Sequence, residues 1–198
     1  MKLIKTNFHD ITKLFINQIG ITIFSLLLYT SLGVVSGNDL LVNLKLFISL
    51  FAIIFYFCLI YCAAWDLGAN DKIKIDSGKI ENTPIKGLAL SLYANILNFL
   101  LAVIAIISMT VHTVSSSDAA YSVFAICNLF LRFLCAMYLG FIQSVLNFGD
   151  VNTSFLIQSI GFLGCIAISV LVTHFGYTMG LKEKRLFGKL FAKGAKLR

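Results

Sequence analysis

The side chains in this chain best suited to chemistry lie inside an apolar run. Asn128, Arg132, Gln143 and Asn147 recur along and just past the stretch 119–146 at spacings of 4, 11 and 4, with the small residues Ala136 and Gly140 between them. On one continuous helix these spacings put the four polar side chains on a single face. A guanidinium inside a hydrophobic segment is expensive, so it marks a functional site by default. On an insertion scale a central Arg costs roughly 2.5–3.5 kcal/mol, and each Leu, Ile, Phe or Val around it returns about 0.3–0.6, which leaves insertion feasible. No Asp or Glu falls within the apolar stretches to neutralise Arg132. Its expected partners are carbonyls, amides, lipid phosphates or a second subunit, and the chemistry is recognition of an anionic group. The competing reading is an interfacial helix whose Arg snorkels to the headgroups.

Other polar residues are weaker candidates. Ser91, Asn95 and Asn98 form a short polar face, where Asn serves either as a binding group or as packing glue worth roughly 0.6 kcal/mol between membrane helices. Cys58 and Cys62 are four apart, not the CxxC of a redox site. His9, His112 and His174 are scattered, and Asp66, Asp71, Asp76 and Glu81 match no calcium loop and are interspersed with Lys72, Lys74 and Lys79, with Lys86 following. No HExxH, GxSxG or phosphate-binding glycine cluster occurs. The expectation is a protein that is not an enzyme, with no catalytic residues, no metal site and no cofactor.

The elements that must position these residues are set by composition. Hydrophobic residues make up 59% of the chain and charged residues 13%, against roughly 25% charged in soluble domains. Lipid is the solvent such a chain requires. One Pro, with runs rich in Leu, Ile and Phe, predicts helices rather than the alternating segments of a membrane barrel. Five apolar stretches are expected at about 11–35, 44–64, 88–111, 119–146 and 155–180. The five Cys all lie within them as small hydrophobes. A retained first span is expected rather than a cleaved leader, because the polar lead is long and contains Asp10.

Charge then constrains topology. Fourteen of the sixteen basic residues fall in three blocks: Lys2, Lys5 and Lys13; Lys72, Lys74, Lys79 and Lys86; and seven between residues 182 and 198. Basic clusters mark the cytoplasmic side, and five crossings cannot place all three there. The stretch 119–146 is the odd one. At about 1.5 Å per residue it is about 42 Å long as one helix, against a hydrocarbon core of roughly 30 Å. The predicted fold is a compact all-α helical bundle, one domain over residues 1–198, with an even number of crossings: four spans plus a re-entrant or broken fourth segment, or six short ones. Both termini are expected to be cytoplasmic.

Two appendages and a packing surface complete the expectation. Lys72-Ile73-Lys74-Ile75 and Lys79-Ile80-Glu81 alternate about Asp76-Ser77-Gly78, which predicts a small cytoplasmic β-hairpin. The tail 182–198 predicts an amphipathic helix whose Arg185, Lys189, Lys193 and Lys196 lie on an anionic inner leaflet; lipid, not nucleic acid, is its expected partner. Gly161, Cys165, Ser169, Thr173, Gly176 and Gly180 run near helical register and predict close helix packing, within the chain or between copies.

Trp65-Asp66-Leu67-Gly68-Ala69-Asn70-Asp71, the Gly78 turn, Lys86-Gly87, Tyr93-Ala94-Asn95 and Gly176-Tyr177-Thr178-Met179-Gly180 before a basic tail resemble a group of small, uncharacterised multi-pass membrane proteins of low-GC Gram-positive bacteria. The resemblance covers about half the chain. It implies a bacterial plasma membrane and a cytoplasmic tail, and carries no activity. The expected function is a non-enzymatic transport or permeation component using the seam around Arg132. The alternative is a structural or accessory protein that recruits a partner through hairpin and tail, with a homo-oligomer or a membrane-protein partner expected.

Overall fold

The computed structural model describes residues 2–33, 39–81, 83, 85–146 and 148–184. These residues form seven α-helices: α1 (Lys2–Gly33), α2 (Asp39–Asp76), α3 (Lys86–Ala94), α4 (Ile96–Ser115), α5 (Asp118–Leu134), α6 (Ala136–Val145) and α7 (Val151–Leu181). Four segments are long and apolar enough to cross a membrane: Phe8–Leu28, Leu46–Asp76, Ile96–Ser115 and Val151–Leu181. The remaining pair, α5 and α6, is bent by 113°. Outward-facing Phe47, Phe51, Ile54, Leu100, Ile107, Phe130 and Leu171 are exposed, as helices solvated by lipid require.

The expected β-hairpin is not formed; the described residues contain no strand. Instead α2 runs on past Trp65 to Asp76. Four alternating residues offer too little strand pairing to compete with propagation of a helix already nucleated upstream, and the Lys72–Asp76 ion pair at i,i+4 supports the extension. Gly78, at φ +70, is the helix stop. The Lys79 N–H donates to the Lys74 carbonyl and the Gly78 N–H to the Ile75 carbonyl, both at 2.9 Å, which is the Schellman closure of a helix. The glycine that reads as a hairpin turn is a C-cap.

The third stretch is helical throughout apart from a local break at Asn95. Backbone hydrogen bonds continue across it, from the Asn95 N–H to the Ser91 carbonyl and from the Phe99 N–H to the Asn95 carbonyl. Ser116 adopts a left-handed conformation and Ser117 caps α5, so α4 and α5 form a tight antiparallel pair. The His112 and Tyr121 rings meet across that turn, 5.0 Å apart and tilted by 47°.

Chain direction is readable from the packing. Gly176 lies against the Tyr61 carbonyl and Gly180 against the Trp65 carbonyl, so α2 and α7 run parallel. Gly87, at the start of α3, meets the Tyr177 ring, while Ala105 and Met109 near the end of α4 cluster with Phe124, Phe155 and Leu156. The α3–α4 segment therefore runs antiparallel to α7. The chain leaves α4 at the same end of the bundle where it enters α7, and α5–α6 dips in from that end and returns to it. The N-terminal part of α7 is reached through Gly149 in a left-handed conformation and Asp150 at the helix start.

Candidate functional site

At ~1.5 Å per residue, the ten residues of α6 extend about 15 Å, half of a bilayer core. Its residues Ala136 to Gly140 and Ile142 are buried, mainly against α1, α2 and α7. A helix broken in a low-dielectric interior must have its freed backbone groups satisfied by neighbours. Two spans do this. Thr22 of α1 donates its hydroxyl to the Leu134 carbonyl at 2.9 Å, at the last turn of α5. Ser49 of α2 accepts from the Phe141 N–H at 2.8 Å and donates to the Met137 carbonyl at 3.3 Å, bridging the two ends of one helical rung. Cys135, wholly buried, stands at the bend itself.

Arg132 sits one turn before the bend. Its Nε donates to Asn128 Oδ1 at 3.2 Å and its Nη2 to Gln158 Oε1 of α7 at 2.8 Å. The guanidinium carbon lies 5.7 Å from the centre of the Phe155 ring, within cation–π range. The half-buried cation is thus oriented by two neutral amides and one aromatic face, contributed by α5 and α7.

The single polar face expected for residues 119–146 is not realised. Asn128 and Arg132 are adjacent on α5, but Gln143 lies beyond the 113° bend, half-buried on α6. A helical face continues only while the axis does. Asn147 lies outside the described residues. Asn95 and Asn98 are buried and bond along their own segment: Asn95 Nδ2 to the Ser91 carbonyl at 3.1 Å, and Asn98 Nδ2 to Asn95 Oδ1 at 3.4 Å. Of the small-residue line, Gly176 and Gly180 pack against α2, Gly161 meets the Leu146 and Ile142 side chains, and Ser169 is buried with its hydroxyl on the Ile166 carbonyl. Arg185, Lys189, Lys193 and Lys196, with the expected tail helix, lie outside the described residues.

A second polar constellation occupies the opposite end of the bundle. Asp71 is buried on α2, ion-paired with Lys86 of α3 at 2.6 Å and accepting from the Tyr177 hydroxyl of α7 at 2.9 Å; the more exposed Lys74 Nζ stands 3.5 Å away. The sequence places Asp71 in a polar loop, and the extension of α2 puts it inside the bundle instead. Gly68 and Gly87 bring the three helices close enough: a Cβ at Gly68 would lie 2.2 Å from the Tyr177 carbonyl oxygen, and one at Gly87 would lie 2.6 Å from the Tyr177 ring. Trp65 Nε1 also bonds the Lys184 carbonyl at 2.8 Å. The motif residues Trp65 to Asp71, Lys86-Gly87 and Gly176 to Gly180 therefore converge in one clamp.

Sequence reasoning missed Gln158, Thr22, Ser49 and the Asp71 cluster. Gln158 had a signal, as a lone amide in an apolar stretch one turn from Gly161. Thr22 and Ser49 had none, because hydroxyls in membrane helices usually bond their own preceding turn.

Four apolar helices around a bent fifth segment define a multi-pass α-helical membrane protein. The chain matches no protein-family model, and no curated protein or solved structure shows significant similarity to it.

Proposed function

We propose that the protein is a transport or permeation component of a membrane, whose working element is the α5–α6 hairpin and whose Arg132 meets an anionic species. The observation that carries this reading is the placement of an oriented guanidinium one turn from a helix break inside the bundle. Broken helices at membrane depth are tolerated where protein or a water-filled cavity lines them, and they recur at the substrate sites of transporters. An intramembrane Arg held by Asn128 and Gln158 keeps its charge in a fixed direction.

In the same reading the chain crosses four times. The end carrying Asp71, Lys86 and Lys184 faces the cytoplasm, because the basic blocks gather there. Both termini then lie on that side, and the resemblance described above favours a bacterial plasma membrane. A homo-oligomer or a membrane-protein partner would cover part of the exposed apolar surface. The accessory reading retains one support, the rigid clamp at the basic end, which suits a docking platform; its hairpin has no counterpart in the fold.

The test is anion flux into liposomes containing purified protein, using chloride and phosphate as probes. Wild type is expected to conduct at least one of them, and Arg132→Leu to lose that flux while keeping its folded state and assembly. If flux and assembly are both unchanged in the variant, the transport reading is abandoned. A stoichiometric foreign protein captured by crosslinking in cells, with no flux from the wild type, would favour the accessory reading.

A further inference from the structure

The packing of α1 against α6 leaves one polar group unsatisfied. Ser25 of α1 is 3% exposed and its hydroxyl has no hydrogen-bond partner. It borders a small cleft of about 10 Å³ that is also lined by Ile48, Ser49, Ala52, Ala136, Met137 and Gly140. A cavity needs roughly 10–15 Å³ and two to four polar partners to hold a water molecule.

The partners are present. The Ser49 hydroxyl uses its proton on the Met137 carbonyl and one lone pair on the Phe141 N–H, which leaves its second lone pair. The Ser25 hydroxyl offers one donor and two acceptor sites. An orphan hydroxyl in a low-dielectric interior is costly, and the space beside it is enough for one water molecule.

We propose that this cleft is a binding site for a single buried water, bridging Ser25 of α1 and Ser49 of α2 beside the N-terminal turn of α6. The water completes the polar lining of the bend that Thr22 and Ser49 begin, and so couples α1, α2 and the re-entrant arm. The site is independent of what, if anything, the hairpin transports.

Water-edited solid-state NMR on the full chain in lipid bilayers reads this directly. In the wild type, magnetisation from water protons is expected to reach Ser25 and Gly140, although both lie away from the bundle surface. In Ser25→Val, whose side chain fills the cleft, that transfer is expected to be lost. No transfer to Gly140 in the wild type overturns the proposal. Thermal unfolding of Ser25→Ala gives a second decision that does not depend on the valine variant folding. Loss of a water-bridged hydroxyl lowers Tm by a few degrees, whereas removal of an orphan hydroxyl raises it, and a rise in Tm also overturns the proposal.

Discussion

The Tyr177 hydroxyl donates to Asp71 Oδ2 at 2.9 Å, tying the last turns of α7 to the last turns of α2. Lys86 neutralises the same carboxylate at 2.6 Å from the first residue of α3. Three helices remote in sequence are thereby fixed at one end of the bundle. Removing one member of a buried ion pair costs more than the pair contributes, because the other charge stays desolvated. Asp71→Asn is therefore expected to destabilise the folded protein by about 3 kcal/mol. Asp71→Asn with Lys86→Met is expected to recover most of that loss. Equilibrium unfolding in mixed micelles measures both, and a double variant no more stable than the single one would contradict a paired role.

The contact between α2 and α7 depends on absent side chains. A Cβ at Gly180 would lie 2.2 Å from the Trp65 carbonyl oxygen, a backbone atom that cannot rotate away. Gly180→Ala is expected to force the helices apart at a cost of about 2 kcal/mol or more. Gly164, on the same helix, has nothing within 4 Å. Gly164→Ala should be neutral or should stabilise by up to about 1 kcal/mol through helix propensity. Equal losses at the two positions would sink this account of the interface.

Ser49 acts on a helix other than its own. Ser49→Ala deprives the Phe141 N–H and the Met137 carbonyl of their bridging hydroxyl, with an expected loss of about 1–3 kcal/mol. Thr22→Val removes the donor to the Leu134 carbonyl, with a smaller loss of about 0.6–1.7 kcal/mol. The two should be non-additive because they support the same bend. A strictly additive pair in unfolding measurements would separate their roles.

The parallel run of α2 and α7 has a topological consequence. Single cysteines introduced at Gly149 and at Lys184, in a background lacking the native five, are expected to label from opposite sides of the membrane. A cysteine at Ser77 should label from the same side as Lys184. Gly149 and Lys184 labelling from one side would mean that α7 does not cross.

Much of the architecture was legible in the residues. Apolar length and composition specify helices in lipid wherever they occur, and the stretches 11–35, 44–64, 88–111 and 155–180 each overlap one of the four segments long and apolar enough to cross, Phe8–Leu28, Leu46–Asp76, Ile96–Ser115 and Val151–Leu181. The irregularity of 119–146 was also legible, because the distribution of Lys and Arg is global information carried in linear form. The hairpin reading failed at Gly78, where a left-handed glycine ends a helix and opens a turn with the same local residue signature. The polar seam failed at Cys135, because helical periodicity says nothing about where an axis bends. Nothing in the local sequence foretells a 113° break that is supported from outside by Thr22 and Ser49.

By itself, then, the sequence determined the solvent, the helices and the uneven placement of charge, since each follows from the summed hydropathy and charge of contiguous residues. Only the tertiary structure decided that Arg132 bonds Gln158, that Asp71 is buried against Lys86 and Tyr177, and that α6 is a half-span enclosed by α1, α2 and α7. Each of these depends on distances between segments separated in sequence, by as many as 106 residues for Asp71 and Tyr177. Those distances are set by close packing at Gly68, Gly176 and Gly180 and by the need to satisfy every buried backbone group in a medium without water.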